Sequence, residues 1–260
     1  MIKEISKAVK EAVKLGYRHI NTAQAYQNEA GVGKGINGCG VKREELFVTT
    51  KLAAEIKSYE EASTSIDESL KKMSLDYIDL MIIHSPKPWA NFLDGETYDE
   101  GNRAAWKALE EAYKAGILKA IGVSNFEIAD LENILDACTV KPMVNQILAH
   151  ISKMPSELIK FCKVNDILVE AYSPIGHGEL FKNEEVVKMA KKYQVSVPQL
   201  AVRFCLQQGL LPLPKTANPA HMKNNAEVDF EILEADMEFL INMEQIKDYG
   251  EASMFPVFAR

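Results

Sequence analysis

The chain has 260 residues, of which 47% are hydrophobic and 26% charged, values typical of a soluble globular protein with a large core. Its net charge of −7 argues against non-specific binding to nucleic acid, because phosphate backbones select basic surfaces. No apolar run approaches the ~20 residues of a membrane span, and no secretory signal follows the first residues, so we expect no membrane partner.

Cysteine usage bears on the compartment and on metal binding. The four cysteines are widely spaced and include no Cys-x-x-Cys pair; they are Cys39, Cys138, Cys162 and Cys205. This pattern predicts reduced thiols in a cytoplasmic protein, without a disulfide frame or a zinc site.

Helical and β-rich segments alternate along the whole chain. Helices are predicted over 2–15, 26–35, 58–73, 103–115, 128–137, 158–164, 183–192, 197–207, 219–225 and 233–243. Strands are predicted over 17–20, 46–51, 77–84, 117–123, 143–146, 167–172 and 211–214. This alternation predicts a parallel α/β fold in a single domain, 1–260, with seven strands where a closed barrel needs eight. The glycines of 31–35 follow no strand, so they indicate close helix packing and not a phosphate loop.

Three successive predicted strands end in, or just before, a tyrosine, a lysine and a histidine: Tyr26, Lys51 and His84. The carboxyl ends of parallel barrel strands meet at one mouth, so we expect these side chains to lie together. A lysine beside a tyrosine favours the phenolate and lowers its pKa, which suits a proton donor, and a histidine can orient a carbonyl group. Taken singly, each residue also has an ordinary interpretation as a packed aromatic, an exposed lysine or a core histidine.

Seven motifs, in order over nearly the whole chain, resemble those of the aldo-keto reductase family. They are 16–23 with Tyr26, Thr50-Lys51-Leu52, Ile83-His84-Ser85-Pro86, 122–126, Val144-Asn145-Gln146, 171–174 and Pro214-Lys215-Thr216. The resemblance implies a TIM-type (β/α)₈ barrel and an NAD(P)H-dependent oxidoreductase that reduces aldehydes or ketones to alcohols by hydride transfer. Tyr26 would then donate the proton, Lys51 would lower the pKa of Tyr26, His84 would orient the carbonyl, and Asn21 would hold Lys51.

The resemblance assigns further residues to the cofactor, NADPH, with NADH possible. Polar side chains at two strand ends would hold the nicotinamide carboxamide, and an aromatic side chain would stack on its ring. The loop 173–178 would pass over the pyrophosphate, and the last motif with the helix after it would contact the 2′-phosphate end. In that order the residues are Ser124, Asn125 and Gln146; Tyr172; Ser173, Pro174, Ile175 and Gly178; and Lys215, Thr216, His221 and Asn225.

Three departures from the family pattern carry expectations of their own. Asn21 stands where the family has an aspartate, which predicts a less well tuned Tyr26 and slow turnover. His221 replaces the arginine of NADPH-preferring members, which predicts a weakened preference over NADH. The N-terminal hairpin and first barrel strand have no counterpart, so we expect open sheet edges that pair with a second copy or are covered by the tail 248–260.

Alternatives to an active reductase follow from the same features. One is a catalytically impaired protein of this type, which binds NADP(H) and turns over slowly or not at all. Another is a structural partner similar to the β-subunits of voltage-gated potassium channels, against which the acidic charge weighs. The substrate is expected to be a small carbonyl compound whose identity depends on loops, among them the aromatic-rich 85–100.

Overall fold

The computed structural model describes residues 2–258, within which seven strands alternate with ten α-helices. The strands are β1 (His19–Asn21), β2 (Phe47–Leu52), β3 (Ile78–Ile83), β4 (Leu118–Ser124), β5 (Val144–Leu148), β6 (Leu168–Tyr172) and β7 (Leu211–Leu213). The helices are α1 (Ile2–Lys14), α2 (Glu29–Asn37), α3 (Tyr59–Met73), α4 (Asp99–Lys114), α5 (Ile128–Leu135), α6 (Ser156–Val164), α7 (Glu184–Lys192), α8 (Val197–Gln207), α9 (Pro219–Ala226) and α10 (Glu234–Ile241). None of the helices in this part of the chain is both long and apolar enough to cross a membrane.

The chain divides into two compact units, Met1–Asn145 and Gln146–Arg260. In the first unit β1 pairs with β2, β2 with β3 and β3 with β4, all parallel, and in the second β6 pairs with β7 in the same sense. The strand order follows the chain from β1 to β7. This is the parallel β/α arrangement that the sequence predicts, whereas the prediction of a single domain over 1–260 stays a prediction.

Serine side chains cap the starts of α3 and α8. The Ser58 hydroxyl accepts a hydrogen bond from the Glu61 N–H and caps α3. Before α8, Ser196 and Gln199 form a reciprocal capping box, with Pro198 in the first turn. A cap of this kind stabilises a helix by about 1 kcal/mol, because it satisfies N–H groups that have no partner within the helix.

The glycines of α2 are packing residues, as expected. A Cβ added at Gly33 would stand 2.1 Å from the Met73 carbonyl oxygen, at the end of α3. Added at Gly35, it would stand 2.6 Å from Val9 Cβ on α1. Any larger side chain would therefore push α2 away from both neighbouring helices.

Element boundaries differ from the predictions in two places that matter for the site. Tyr26 lies in a short 3₁₀ turn, Gln24–Tyr26, and α2 begins only at Glu29, because Gln27 adopts a left-handed conformation with φ of 51°. Helix α4 begins at Asp99, before the predicted residue 103, and Asp99 and Glu100 stabilise its positive N-terminal end.

Strand β3 lies in the core of the first unit. Its apolar side chains, among them Ile78, Leu80 and Ile82, are fully buried, which is typical of a strand covered on both faces. It pairs with β2 on one side and β4 on the other. The carboxyl ends of these strands therefore lie next to one another and position the polar residues that follow them.

Candidate active site

Three strand ends of the first unit bring Asn21, Tyr26, Lys51 and His84 together. Lys51 is only 2% exposed, and its Nζ donates to Asn21 Oδ1 at 2.6 Å and to the Thr22 carbonyl at 2.9 Å. The same Nζ lies 5.0 Å from the centre of the Tyr26 ring. The His84 ring stands edge-on to Tyr26 with centroids 5.8 Å apart. The expected proximity is therefore present, whereas the role of each residue stays a prediction.

The Tyr26 hydroxyl, the predicted proton donor, is held in its protonated form. Its side chain is half exposed, yet desolvation by the surrounding protein raises the pKa of the hydroxyl above its ordinary value. The predicted role of Lys51, to lower this pKa, stays a prediction: the net shift of the Tyr26 pKa is upward and is caused by desolvation. Lost hydration disfavours the phenolate, whereas the Lys51 ammonium is held nearby by Asn21 and Thr22. The hydroxyl thus stays protonated at neutral pH.

Asn21 holds Lys51 with one half of its amide and leaves the other half unsatisfied. Its Oδ1 accepts from Lys51, whereas its Nδ2 is buried and finds no acceptor among residues 2–258. A buried donor without a partner costs about 1–3 kcal/mol. An aspartate would offer acceptors only, so the amide is a poorer match to this position than a carboxylate would be.

His84 is neutral at physiological pH. Burial first, and the Lys51 charge second, lower the pKa of its imidazole to about 3. Its Nδ1 is buried without a hydrogen-bond partner in the described part of the chain, and the side chain is 7% exposed. Its ring also meets the edge of Trp89, with centroids 5.1 Å apart. A neutral imidazole held in this way can offer one N–H to a ligand oxygen.

The loop after β3 contributes aromatic residues, as its composition indicates. Trp89 contacts His84, and Phe92 packs against Trp89 with ring centroids 5.5 Å apart. Phe92 is itself only 2% exposed. Trp89 is thus the loop residue that contacts the predicted catalytic group, and the buried Phe92 packs against it.

Two predicted nicotinamide contacts of the first unit lie at the end of β4. Ser124 is buried, and Asn125 adopts a left-handed conformation with φ of 61°. Asn125 Nδ2 donates to the His84 carbonyl at 3.0 Å and to Ser124 Oγ at 3.1 Å. Asn125 therefore links the end of β4 to the backbone of His84.

In the second unit the predicted ring-stacking residue is covered by the tail. Tyr172 ends β6 and meets the edge of Phe258, with centroids 6.4 Å apart. Phe258 also packs on His177 and on Tyr249, whose hydroxyl bonds to His150 Nε2 at 2.9 Å. The tail therefore folds over this loop, although residues 259 and 260 of the predicted segment lie outside the described residues.

The remaining predicted cofactor contacts of this unit begin with Gln146, which lies inside β5 and not at its end as predicted, because the strand continues to Leu148. Gln146 is buried and donates to Glu170 Oε2 at 2.7 Å. The loop 173–178 turns through residues with positive φ, namely Ser173, Gly176, His177 and Gly178, and the Ser173 hydroxyl lies 3.1 Å from His177 Nε2. These conformations give the loop a tight curvature that few other sequences adopt.

Exposed polar groups surround the start of α9. Lys215 and His221 are exposed, and Thr216 Oγ1 accepts from the Asn218 N–H at 3.1 Å. Asn225 is 5% exposed, and its Oδ1 has no donor among residues 2–258. These two features fit a nucleotide. Its phosphate oxygens could contact the exposed Lys215, and an amine of its base could donate to the buried Asn225 Oδ1.

Other candidate sites are weak. Within the described residues no group of three histidine, cysteine, aspartate or glutamate side chains is placed to hold a metal ion. A surface cavity of about 380 Å³ between α4 and residues 134–139 contains none of the predicted site residues. None of the four cysteines forms a disulfide in this part of the chain.

The sequence matches the Aldo/keto reductase family over residues 3–245. The chain belongs to that family. This aldo/keto reductase is 41% identical to a glyoxal reductase of Bacillus subtilis, over 90% of this chain and 82% of the relative. It is 35% identical to a methylglyoxal reductase of Escherichia coli, over 95% of this chain and 87% of the relative.

Solved structures of similar proteins support the family assignment. An aldo/keto reductase from Brucella melitensis superposes with a TM-score of 0.83 at 38% identity, covering 92% of this chain and 90% of that one. An aldo-keto reductase from Bombyx mori in complex with NADP gives a TM-score of 0.85 at 31% identity, covering 100% and 90%. The predicted (β/α) barrel class and the predicted class of enzyme, an NADP-dependent oxidoreductase, are confirmed.

Proposed function

We propose that this aldo/keto reductase reduces small aldehydes or ketones to alcohols with NADPH. The observation that carries the proposal is the gathering of Tyr26, Lys51 and His84 at neighbouring strand ends. The names of the two relatives, glyoxal and methylglyoxal reductase, favour short dicarbonyl compounds as substrates. NADPH, when bound, supplies the hydride.

Each side chain of the group then has a distinct task. Tyr26, protonated because its pKa is raised, donates a proton to the carbonyl oxygen as negative charge develops there. His84, neutral because of its low pKa, donates a hydrogen bond that orients that oxygen. The Lys51 charge, held by Asn21 and Thr22, stabilises the phenolate that Tyr26 becomes.

The cofactor contacts are proposed for each unit separately. In the first, Ser124 and Asn125 would hold the carboxamide. In the second, Gln146 would do the same, Tyr172 would stack on the ring, and Ser173, Pro174, Ile175 and Gly178 would line the pyrophosphate. The exposed Lys215 and His221, with Thr216 and Asn225, would contact the 2′-phosphate end, and the orphan acceptor of Asn225 supports a nucleotide there.

Purified protein with NADPH and a panel of methylglyoxal, glyoxal, an aromatic aldehyde and a ketone tests the proposal. We expect substrate-dependent NADPH oxidation, measured by absorbance, with a dicarbonyl as the preferred substrate. NADPH binding by fluorescence without any oxidation would contradict it. That result would favour the catalytically impaired alternative, which the unsatisfied Asn21 Nδ2 supports.

We also propose that the protein self-associates or covers its open sheet edges with the tail, and that it lies in the cytoplasm. Strands β1 and β7 stand at the ends of the strand order, but each has three residues, and Pro212 in β7 has no N–H to offer. We expect either a dimer in light scattering, in which these edges pair with a second copy, or a monomer whose edges are covered by the tail 248–260. A monomer with both edges bare to water contradicts this expectation. Localisation of a tagged protein checks the cytoplasmic assignment.

A further inference from the structure

We propose that Lys57 is a positioning residue for His84: together with Asn102 it fixes the backbone that immediately follows His84 and thereby sets the direction of the imidazole. The inference rests on the catalytic role of His84 in the proposed function. It concerns two residues that lie outside the motifs of the predicted site.

Three consecutive carbonyl groups at the end of β3 each accept a hydrogen bond from a side chain. Asn125 Nδ2 donates to the His84 carbonyl at 3.0 Å. Lys57 Nζ donates to the Ser85 carbonyl at 2.9 Å, and Asn102 Nδ2 donates to the Pro86 carbonyl at 2.9 Å. The donors come from three different elements of the first unit, so the segment is held from three sides.

Lys57 and Asn102 form one assembly. Lys57 Nζ also donates to Asn102 Oδ1 at 2.9 Å, so a single amide accepts from the lysine and donates to the loop. Asn102 is 1% exposed, and Lys57 is half-buried. Asn102 is therefore removed from competing water and Lys57 is partly so, which makes their hydrogen bonds stronger and their loss more costly.

The neighbouring glycine shows that the approach of α4 to Lys57 is specific. A Cβ added at Gly101 would lie 2.8 Å from Lys57 Cβ and 2.9 Å from the Lys57 carbonyl oxygen. A side chain at position 101 would thus separate α4 from the segment between β2 and α3. Only close contact here brings Asn102 within reach of both Lys57 and Pro86.

The loop needs such support because its own backbone is poor in donors. Pro86 and Pro88 have no N–H, so neither can form a backbone hydrogen bond that would stiffen the turn. The peptide that joins His84 to Ser85 is consequently positioned by side chains on both of its flanks. A displacement of ~1 Å in a reacting group can reduce the rate about 10²-fold, so this support is relevant to catalysis.

The charge state of Lys57 gives the assembly a pH dependence. Burial lowers the pKa of its amine to about 7, against the opposing effect of two facing carboxylates, Glu55 on the same segment and Asp130 on α5. Below pH 7 the amine is charged and donates strong hydrogen bonds to the two carbonyl oxygens. As the pH rises above 7 it becomes neutral and the bonds weaken.

Lys57→Met is the main test, with steady-state kinetics and NADPH affinity as readouts. We expect kcat to fall at least about tenfold, since alignment is lost, while the Kd for NADPH changes less than about twofold. Lys57→Arg, which keeps the charge and the donors, should retain more activity than Lys57→Met. The matched control is Lys87→Met in the same loop, whose Nζ bonds to the Asp94 carbonyl at 2.6 Å, and which should leave kcat unchanged.

A double-mutant cycle with His84→Gln separates positioning from general damage. If Lys57 acts through His84, Lys57→Met should have little further effect on kcat in the His84→Gln background. Additive losses in the two backgrounds would overturn the inference. If His84→Gln alone leaves kcat unchanged, the proposed function is at fault; if it lowers kcat while Lys57→Met does not, only the inference fails.

Two measurements keep the test decisive if Lys57→Met folds poorly. Asn102→Asp keeps the acceptor for Lys57 but removes the donor to Pro86, and we expect it to lower kcat several-fold without changing the Kd for NADPH. The wild-type kcat should decline above pH 7, and Lys57→Arg should abolish that decline. An unchanged kcat in Asn102→Asp, or a pH profile that Lys57→Arg does not alter, would contradict the proposal.

Discussion

The two lysine-bearing regions of this aldo/keto reductase differ in how firmly their charges are held. Lys51, in the first unit, is 2% exposed and bonded to Asn21 and Thr22, and the neighbouring His84 is buried and neutral. Lys215 and His221, in the second unit, are exposed to solvent. The difference follows from the tasks that we propose: a proton-transfer group works best when it is desolvated and fixed, whereas a phosphate contact needs an accessible charge.

The largest effect should come from the buried region. Tyr26→Phe removes the proposed proton donor and keeps the ring, so we expect kcat to fall about 10²- to 10⁴-fold while NADPH binds normally. Steady-state rates and fluorescence titration measure the two quantities. Tyr98→Phe, which removes a hydroxyl bonded to Glu96, is the matched control and should be neutral. Near-normal turnover in Tyr26→Phe would contradict the assignment of Tyr26 as the proton donor.

Acid should destabilise the protein through its buried histidines. The pKa of His84 is lowered to about 3 and that of His150 to about 4, in both cases chiefly by burial. Below the unfolded pKa of ~6.5 the unfolded chain therefore binds more protons than the native one, so stability falls as the pH drops towards these folded values. We expect a loss of about 2 kcal/mol per histidine between pH 8 and 5.

Urea denaturation at several pH values measures that loss. His84→Gln should reduce the pH dependence of the free energy of unfolding by about one proton. A free energy of unfolding that does not change between pH 8 and 5 would show that neither imidazole is held neutral in the folded protein.

Asn21→Asp should hold the Lys51 charge more firmly and so increase its difference from the exposed Lys215. A carboxylate would pair with Lys51 and would also remove the buried amide donor that lacks a partner. We expect kcat to rise at least about tenfold, the equivalent of ~1.4 kcal/mol in the barrier. Asn21→Ala serves as the control that removes the acceptor. No rise with aspartate would mean that another step limits the rate.

The smallest effect should come from the exposed region. His221→Arg supplies a permanent charge and a bidentate fork, so we expect the ratio of NADPH to NADH affinity to rise several-fold. His221→Gln is the control of similar polarity without charge. Titrations with both nucleotides measure the ratio, and an arginine that leaves it unmoved would show that position 221 does not contact the 2′-phosphate.

Local sequence determined most elements, because their signals are short in range. The near-continuous apolar run of β3, and Ser196 followed by Pro198 at the start of α8, each predict their element without knowledge of the rest of the chain. The proximity of Tyr26, Lys51 and His84 was also predictable, since parallel strands place their carboxyl ends together. The start of α4 was missed because Asp99 and Gly101 are weak helix formers, so that the packing of the helix decides where it begins.

Only the tertiary structure determined the pKa values of the site residues and the hydrogen bonds that position them. The raised pKa of Tyr26 and the lowered pKa of His84 depend on desolvation, which no motif records. The contact of Lys57 with Asn102 joins residues 45 positions apart and needs the close approach at Gly101. Sequence motifs thus specified which groups end the strands, whereas burial and long-range contacts, which depend on the whole packed unit, determined their charge and their orientation.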